Sequence, residues 1–279
     1  MSDLQISAET FQNQPCLRLR HSGGDEVLVA LHGAHVLSWT SGGTERLYLS
    51  PRALFDGQSA IRGGVPICFP QFNVRGPLPK HGFARTMAWT PGPAGDALEL
   101  QLHSSAATLA LWPHAFVARL RLSLAPGSLR IEFSLQNTGD QPLDFALALH
   151  TYLKIQQLQS LELRGLEERP YWDDVAKTNR LQTGAVTLDG EVDRVYHAAA
   201  APLELVDGGQ AAAGMRIAQS ANLPNTVVWN PGAARCATIA DLPADGYLQM
   251  LCVEAAQIDT PATVAVGARW TGWQQLTVL

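Results

Sequence analysis

The chain has 279 residues, of which 46% are apolar and only 16% are Asp, Glu, Lys or Arg, against about 25% charged residues in an average soluble protein. Such a composition excludes a disordered polymer and implies a large core. The 20 basic and 25 acidic side chains leave a net charge of −5, and with no basic tract to follow a phosphate backbone the chain is not expected to bind nucleic acid.

The longest apolar runs, such as DFALALHTYL, fall well short of the ~20 residues that span a bilayer. The opening MSDLQISAETFQNQP lacks a basic stretch followed by an apolar one. A cytoplasmic protein with no membrane partner is therefore expected. Cys16, Cys68, Cys236 and Cys252 show none of the close paired spacings of zinc or redox motifs, so they read as small core hydrophobes.

In chain order, apolar residues recur at a period of two in CLRLR, EVLVAL, HVLSWT, ERLYL, ALELQL, AFVARLRLSL, SLRIEFSLQN, FALALHTYL, TVVWN and YLQMLCVEA. That is the period of half-buried strands, and no stretch of a dozen residues carries a helical stripe. Gly- and Pro-rich punctuation separates the runs, as in SGGDE, TSGGTE, PGPAGD and NTGDQP. The clearest hairpin is AFVARLRLSLAPGSLRIEFSLQN, with Pro126 and Gly127 at its turn. HAAAAPLELVDGGQAAAGM is the one low-complexity stretch, and its LELV core reads as part of a surface hairpin. An unbroken series of strands without linker or repeat predicts an all-β chain of stacked antiparallel sheets, one sandwich over residues 1–279.

Chemistry concentrates in AIRGGVPICFPQFNVRGPLPKHGFAR, residues 60–85, where Arg62, Arg75, Lys80, His81 and Arg85 lie among Pro and Gly. Cations in loops are commonly solvated surface; here Phe69, Phe72 and Phe83 are expected to anchor the loop. Guanidinium groups suit a phosphate monoester of charge about −1.5 to −2, and an acidic protein needs a local positive patch to hold one. In DFALALHTYLKI, alternation places Phe145, Leu147 and Leu149 on one face and Ala146, Ala148, His150 and Tyr152 on the other. His150 reads either as a hydrogen-bonded core residue or as a general acid beside space left by the alanines. Glu254 ends the otherwise uncharged YLQMLCVEA, either ion-paired with an arginine or held as a general base in a partly dry site.

The segment SPRALFDGQSAIRGGVPICFPQFNVRGPLPKHGFAR, followed by ALHTYL, EVDRVY, VVWNPG and CVEAA in that order, resembles the glucose-6-phosphate 1-epimerases (hexose-6-phosphate mutarotases) of the aldose 1-epimerase superfamily. GAHVLSW resembles the first core strands of that family, and the match runs from about residue 30 to the C-terminus. The resemblance implies a galactose-mutarotase-like β-supersandwich and cofactor-free, metal-free interconversion of the anomers of a hexose 6-phosphate. It implies His150 as catalytic acid in imidazolium form, Glu254 as catalytic base, and Arg62, Lys80, Arg85 and Asp193 as substrate contacts. The family often carries Gln where this chain has Lys80, and Gln where it has His35, to which no role is given. Asp193 is otherwise an exposed carboxylate beside Arg194; His81 is expected to orient substrate by a hydrogen bond; Trp229 is either core or a cover for the sugar ring. An epimerase for free sugars and a non-catalytic carbohydrate-binding sandwich are the alternatives. Oligomeric state, a monomer included, stays open.

Overall fold

A computed structural model describes residues 3–93, 95–197, 201–208 and 214–279. Its strands form three sheets of five, eight and eight strands, all paired antiparallel, so the all-β expectation holds. The first is a meander from Leu4–Phe11 through Gln14–His21, Glu26–Ala30 and His35–Ser41 to Thr44–Glu45. The second is built around Phe116–Ala125, Ser128–Asn137 and Arg269–Val278; the first two of these are the expected hairpin, with Ser128 opposite Ala125. The third runs in the order Thr178–Leu181, Pro170–Asp173, Val192–Tyr196, Asn225–Asn230, Met250–Val264, Leu143–Leu149 and Ile67–Cys68, with Tyr152–Lys154 as an eighth strand paired to Met250–Val264.

The period-two pattern sorts side chains between the layers. Phe145, Leu147, Leu149, Leu251, Val253 and Ala255 of the third sheet join Leu120, Leu122, Leu129, Ile131 and Phe133 of the second in one core that extends from Leu19 to Leu276. Ala148, Val227 and Ala256 leave that core and form a smaller cluster on the opposite face. Phe69 stands at the centre of the large core, with its ring 5.2 to 6.2 Å from those of Phe83, Trp112, Phe116, Phe133 and Phe145. All four cysteines are free and buried, as expected of small hydrophobes.

Several expected strands differ in extent. ERLYL is a strand only at Glu45, after which Leu47 and Leu49 make isolated bridges to Leu153 and Gly63. FALALHTYL breaks at His150 and Thr151 before resuming as Tyr152–Lys154. YLQMLCVEA begins with a 3-10 turn over Gly246–Leu248, and its strand then runs from Met250 to Val264, so Glu254 lies within a strand and does not end one. Strands Leu4–Phe11 and Arg269–Val278 carry weaker alternation and were not expected. Leu203–Val206, the LELV segment, pairs with Met215–Gln219 and with Glu162–Arg164 inside the second sheet, while residues 198–200 and 209–213 lie outside the described residues. The helices are short: Ala106–Leu111 is started by a capping box between Ser105 and Thr108, and Gly232–Cys236 follows the VVWNPG motif. Among the described residues no helix is long and apolar enough to cross a membrane.

Since five aromatic rings converge on Phe69, Phe69→Ala is expected to lower stability by about 3–5 kcal/mol. Urea denaturation checks this as a lower midpoint with an unchanged slope.

Candidate active site

The third sheet has one face on the main core and one turned outward, and strand register brings the polar residues together on the outward face. Asp193 is opposite Trp229, Trp229 opposite Cys252, and Cys252 opposite Tyr152. One step along, Val195 and Val227 lead to Glu254. Counting from Leu149 opposite Ala255 and Tyr152 opposite Cys252, His150 falls opposite Glu254. The strand break at this point is held by two ties. The His150 backbone N–H donates to the Pro66 carbonyl at 3.0 Å, and the Thr151 hydroxyl donates to buried Gln274 at 2.5 Å.

His150 Nε2 lies 3.3 Å from Glu254 Oε1, and the two side chains are only 11% and 1% exposed. Among the described residues no arginine pairs with Glu254. Burial pushes the Glu254 carboxyl well above the usual range, with the Asp193 charge adding to the shift. Burial likewise pushes the His150 imidazole well below its usual range, followed by the charges of His81, Arg62 and Arg85. Both shifts disfavour the separated ions. Their direction runs against the imidazolium form that the resemblance implies for His150. The ring is stacked on Tyr152, centroids 4.8 Å apart and 12° from parallel, and Trp229 meets both rings edge-on.

The loop of residues 60–85 closes over this pair. Phe69, Phe72 and Phe83 are buried as expected, and Phe72 fills the space over Ala146 and Ala148 that the sequence had left for a ligand. Gly64 has φ +60°, and a Cβ there would stand 2.1 Å from the Val36 carbonyl, so only glycine lets the Arg62 turn lie against the first sheet. His35, buried, hydrogen-bonds the Gly63 carbonyl through Nε2 at 2.7 Å and so steadies this turn. Arg62 projects beyond it, donating from Nε to Asp241 at 3.2 Å and from Nη1 to the Tyr152 hydroxyl at 3.0 Å. Gln71 ties the far end of the loop by accepting from the Leu78 N–H and donating to the Asn73 and Leu78 carbonyls.

His81 accepts a hydrogen bond from the Asn73 N–H at Nδ1, 3.2 Å away. Its pKa is pushed down to about 3 by burial and then by Arg85, Lys80 and Arg62. A neutral ring that accepts at Nδ1 carries its proton on Nε2.

Together these groups line a cavity of 310 Å³ whose walls include Arg62, Lys80, His81, His150, Asp193, Trp229 and Glu254. Asp193 belongs to the wall and is not a surface partner of Arg194, which instead donates to Gln182 and lies over the Tyr171 ring. Burial, then Asp174 and Glu191, raise the Asp193 carboxyl to about 6. Arg85 is not part of the lining; its Nη2 donates to the Lys80 carbonyl at 2.9 Å, and its charge acts on His150 and His81. Arg75 is also outside, paired with Asp259 at 3.5 Å. Sequence reasoning missed Asp174 and Arg235 in the wall, since neither has a signal beyond that of an ordinary surface charge. A larger cavity of 530 Å³ lies beside the first sheet, but its Arg18 is closed off by Glu9 and Glu26 and it holds no unmatched catalytic pair.

Stability should report the two opposed shifts. A carboxyl with a raised folded pKa makes folding less favourable as pH rises from about 4.5, and an imidazole with a lowered one makes it less favourable as pH falls below about 6.5. Relative to wild type, Glu254→Gln is expected to raise the thermal midpoint more at pH 8 than at pH 5, and His150→Asn more at pH 5 than at pH 8. Thermal scans of the three proteins at both pH values check the opposite slopes.

Residues 15–277 match the family model described as aldose 1-epimerase. The chain is 35% identical over 260 residues to a Cenchrus ciliaris protein named "Putative glucose-6-phosphate 1-epimerase", covering 88% of this chain and 78% of that one. A protein of the same name from Escherichia coli strain K12 is 36% identical over 239 residues, covering 81% and 78%. Among solved structures, a "putative mutarotase" (YeaD) from Salmonella typhimurium superposes with a TM-score of 0.87 at 29% identity, over 98% of this chain and 92% of that one. Slr1438 of Synechocystis shares the fold, with a TM-score of 0.82 at 23% identity over 97% and 98%. With a family model spanning nearly all of it and such relatives along most of its length, the chain belongs to the aldose 1-epimerase family.

Proposed function

We propose that this protein interconverts the α and β anomers of a hexose 6-phosphate, glucose 6-phosphate first among them, with His150 and Glu254 as the proton-transferring pair. The observation that carries the reading is the 3.3 Å approach of those two side chains on one face of the sheet, beneath a cavity bordered by Arg62 and Lys80. A non-catalytic sugar-binding sandwich has no use for a desolvated carboxyl and imidazole so close together. The names of the relatives support the phosphorylated substrate. A sugar phosphate does not cross a bilayer unaided, which agrees with a cytoplasmic enzyme.

The reaction follows from the proton inventory of the pair. Two groups with one proton between them can exist as carboxyl and imidazole or as carboxylate and imidazolium, and transfer across the short gap exchanges these forms. Burial makes the carboxylate a stronger base and the imidazolium a stronger acid than either is in water. In the ionised form Glu254 takes the proton of the anomeric hydroxyl while the bond from the anomeric carbon to the ring oxygen breaks, and His150 gives its proton to that oxygen. The open aldehyde turns about its bond to the next carbon. The ring hydroxyl then attacks the other face, returning a proton to His150 as Glu254 protonates the new anomeric oxygen. Both groups end as they began. His81, a donor at Nε2, and Asp193, an acceptor when ionised, hold hydroxyls of the sugar meanwhile.

Each positioned acid or base contributes about 10²–10⁴-fold to rate. Glu254→Gln and His150→Asn are each expected to lower kcat by that factor in exchange NMR or polarimetry on glucose 6-phosphate. Wild-type activity in either variant would remove that residue from the mechanism.

A further inference from the structure

We propose that Gln274 is a positioning residue for the acid–base pair: from the second sheet, its side-chain amide fixes the two chain segments that carry His150 and Glu254 at their working separation. The inference rests on the reading of that pair as the proton-transferring groups. Gln274 lies within Arg269–Val278 with Ile131 beside it in register, and both are fully buried. A primary amide is costly to bury unless its hydrogen bonds are made, so the packing of an apolar core gives no reason for one here. The groups that it touches do.

Thr151 follows His150, and Val253 precedes Glu254. His150 and Glu254 line the cavity, while Thr151 and Val253 are fully buried and Val253 belongs to the main core. Counting from Tyr152 opposite Cys252, Thr151 falls opposite Val253. In an unbroken antiparallel ladder a hydrogen-bonded pair of this kind exchanges both backbone bonds. Here one is made, from the Val253 N–H to the Thr151 carbonyl at 3.0 Å, whereas the Thr151 N–H turns back to the Leu149 carbonyl at 2.9 Å. That turn accompanies the strand break at His150, and it withholds from the Val253 carbonyl the donor that the ladder would supply. Gln274 Nε2 takes the place of that donor, at 2.9 Å from the Val253 oxygen. Gln274 Oε1 accepts from the Thr151 hydroxyl at 2.5 Å, nearer than the Leu149 carbonyl at 3.5 Å. Val253 N–H to Thr151, Thr151 hydroxyl to Gln274 and Gln274 amide to Val253 therefore close a ring of three hydrogen bonds. The ring grips each segment one residue away from a member of the pair, so neither can slide past the other without breaking it. On the cavity face, among the described residues, His150 Nδ1 and Glu254 Oε2 have no hydrogen-bond partner. The 3.3 Å approach of the two side chains is thus set from behind the sheet.

The test measures kcat and KM for glucose 6-phosphate per folded molecule, with the folded fraction taken from near-UV circular dichroism, in wild type, Gln274→Met, Thr151→Val and Thr151→Ser, and with Glu254→Gln as reference for the pair. Gln274→Met and Thr151→Val are each expected to lower kcat about 10–100-fold, since a small misplacement of reacting groups is enough for such a loss. KM should hardly change, because the substrate contacts stay in place. Thr151→Ser keeps the hydroxyl and should keep kcat near the wild-type value. The double variant should be little slower than the slower single one, since either substitution opens the same ring. Wild-type kcat in Gln274→Met, or a KM that rises as far as kcat falls, would overturn the positioning role. Should Gln274→Met fail to fold, equal kcat in Thr151→Val and Thr151→Ser would overturn it as well. Full activity in Glu254→Gln would instead overturn the reading of the pair on which the inference rests.

Discussion

A carboxyl side chain with 1% exposure on the outward face of a sheet is the constraint around which the site is organised. Removing a carboxylate from water is costly unless it is neutralised or paired, and among the described residues this one has neither an arginine nor a lysine paired with it. It is tolerated because its neighbour across the strands is an imidazole, itself buried and reluctant to carry charge on its own. The pair accommodates a single proton in common, and the surrounding apolar groups, Tyr152, Trp229 and Phe72, keep the local dielectric low enough for the two proton affinities to stay far from their values in water.

Rigidity around that pair comes from the other side of the sheet. Phe69 reaches through the loop of residues 60–85 into the middle of the sandwich and carries the loop with it. The loop can then hold Lys80 and His81 over the cavity although its own backbone is mostly irregular. Positive charge at the mouth is a local matter. Three cationic side chains line the cavity of a protein whose net charge is −5, so the attraction felt by an anion depends on where the charges stand and not on their sum.

Much of this was legible in the sequence where one physical rule acted alone. The period-two alternation of FALAL sorted Phe145, Leu147 and Leu149 from Ala146 and Ala148 correctly because sheet sterics allow no other arrangement. His150 and Glu254 stood out because each interrupts an apolar run. Where two elements must meet, the sequence carries little signal. The hydrogen bond from Arg85, in the 3-10 turn over Ala84–Thr86, to the Lys80 carbonyl is such a case. Arg235, in a bland Ala-rich stretch, reaches the cavity from a helix whose Gly232 packs on Glu191, 41 positions before that glycine in the chain. ERLYL alternates as well as any true strand, but after Glu45 its neighbours are single bridges and not a ladder. The ionisation of the His–Glu pair was likewise out of reach, since it depends on burial contributed by Phe72, Tyr152 and Trp229 from three separate segments.

The hydrogen bond from the Asn73 N–H to His81 Nδ1 has a further consequence for recognition. It makes His81 a donor with no accepting face toward the cavity. Any sugar oxygen that it meets is engaged through a lone pair, and every oxygen along the path retains one, whether it is hydroxyl, ring ether or aldehyde carbonyl. In the proposed reaction such a contact is blind to the bookkeeping of protons and to the hand of the anomeric centre, so one fixed side chain would accompany the ring through opening, rotation and closure without having to move.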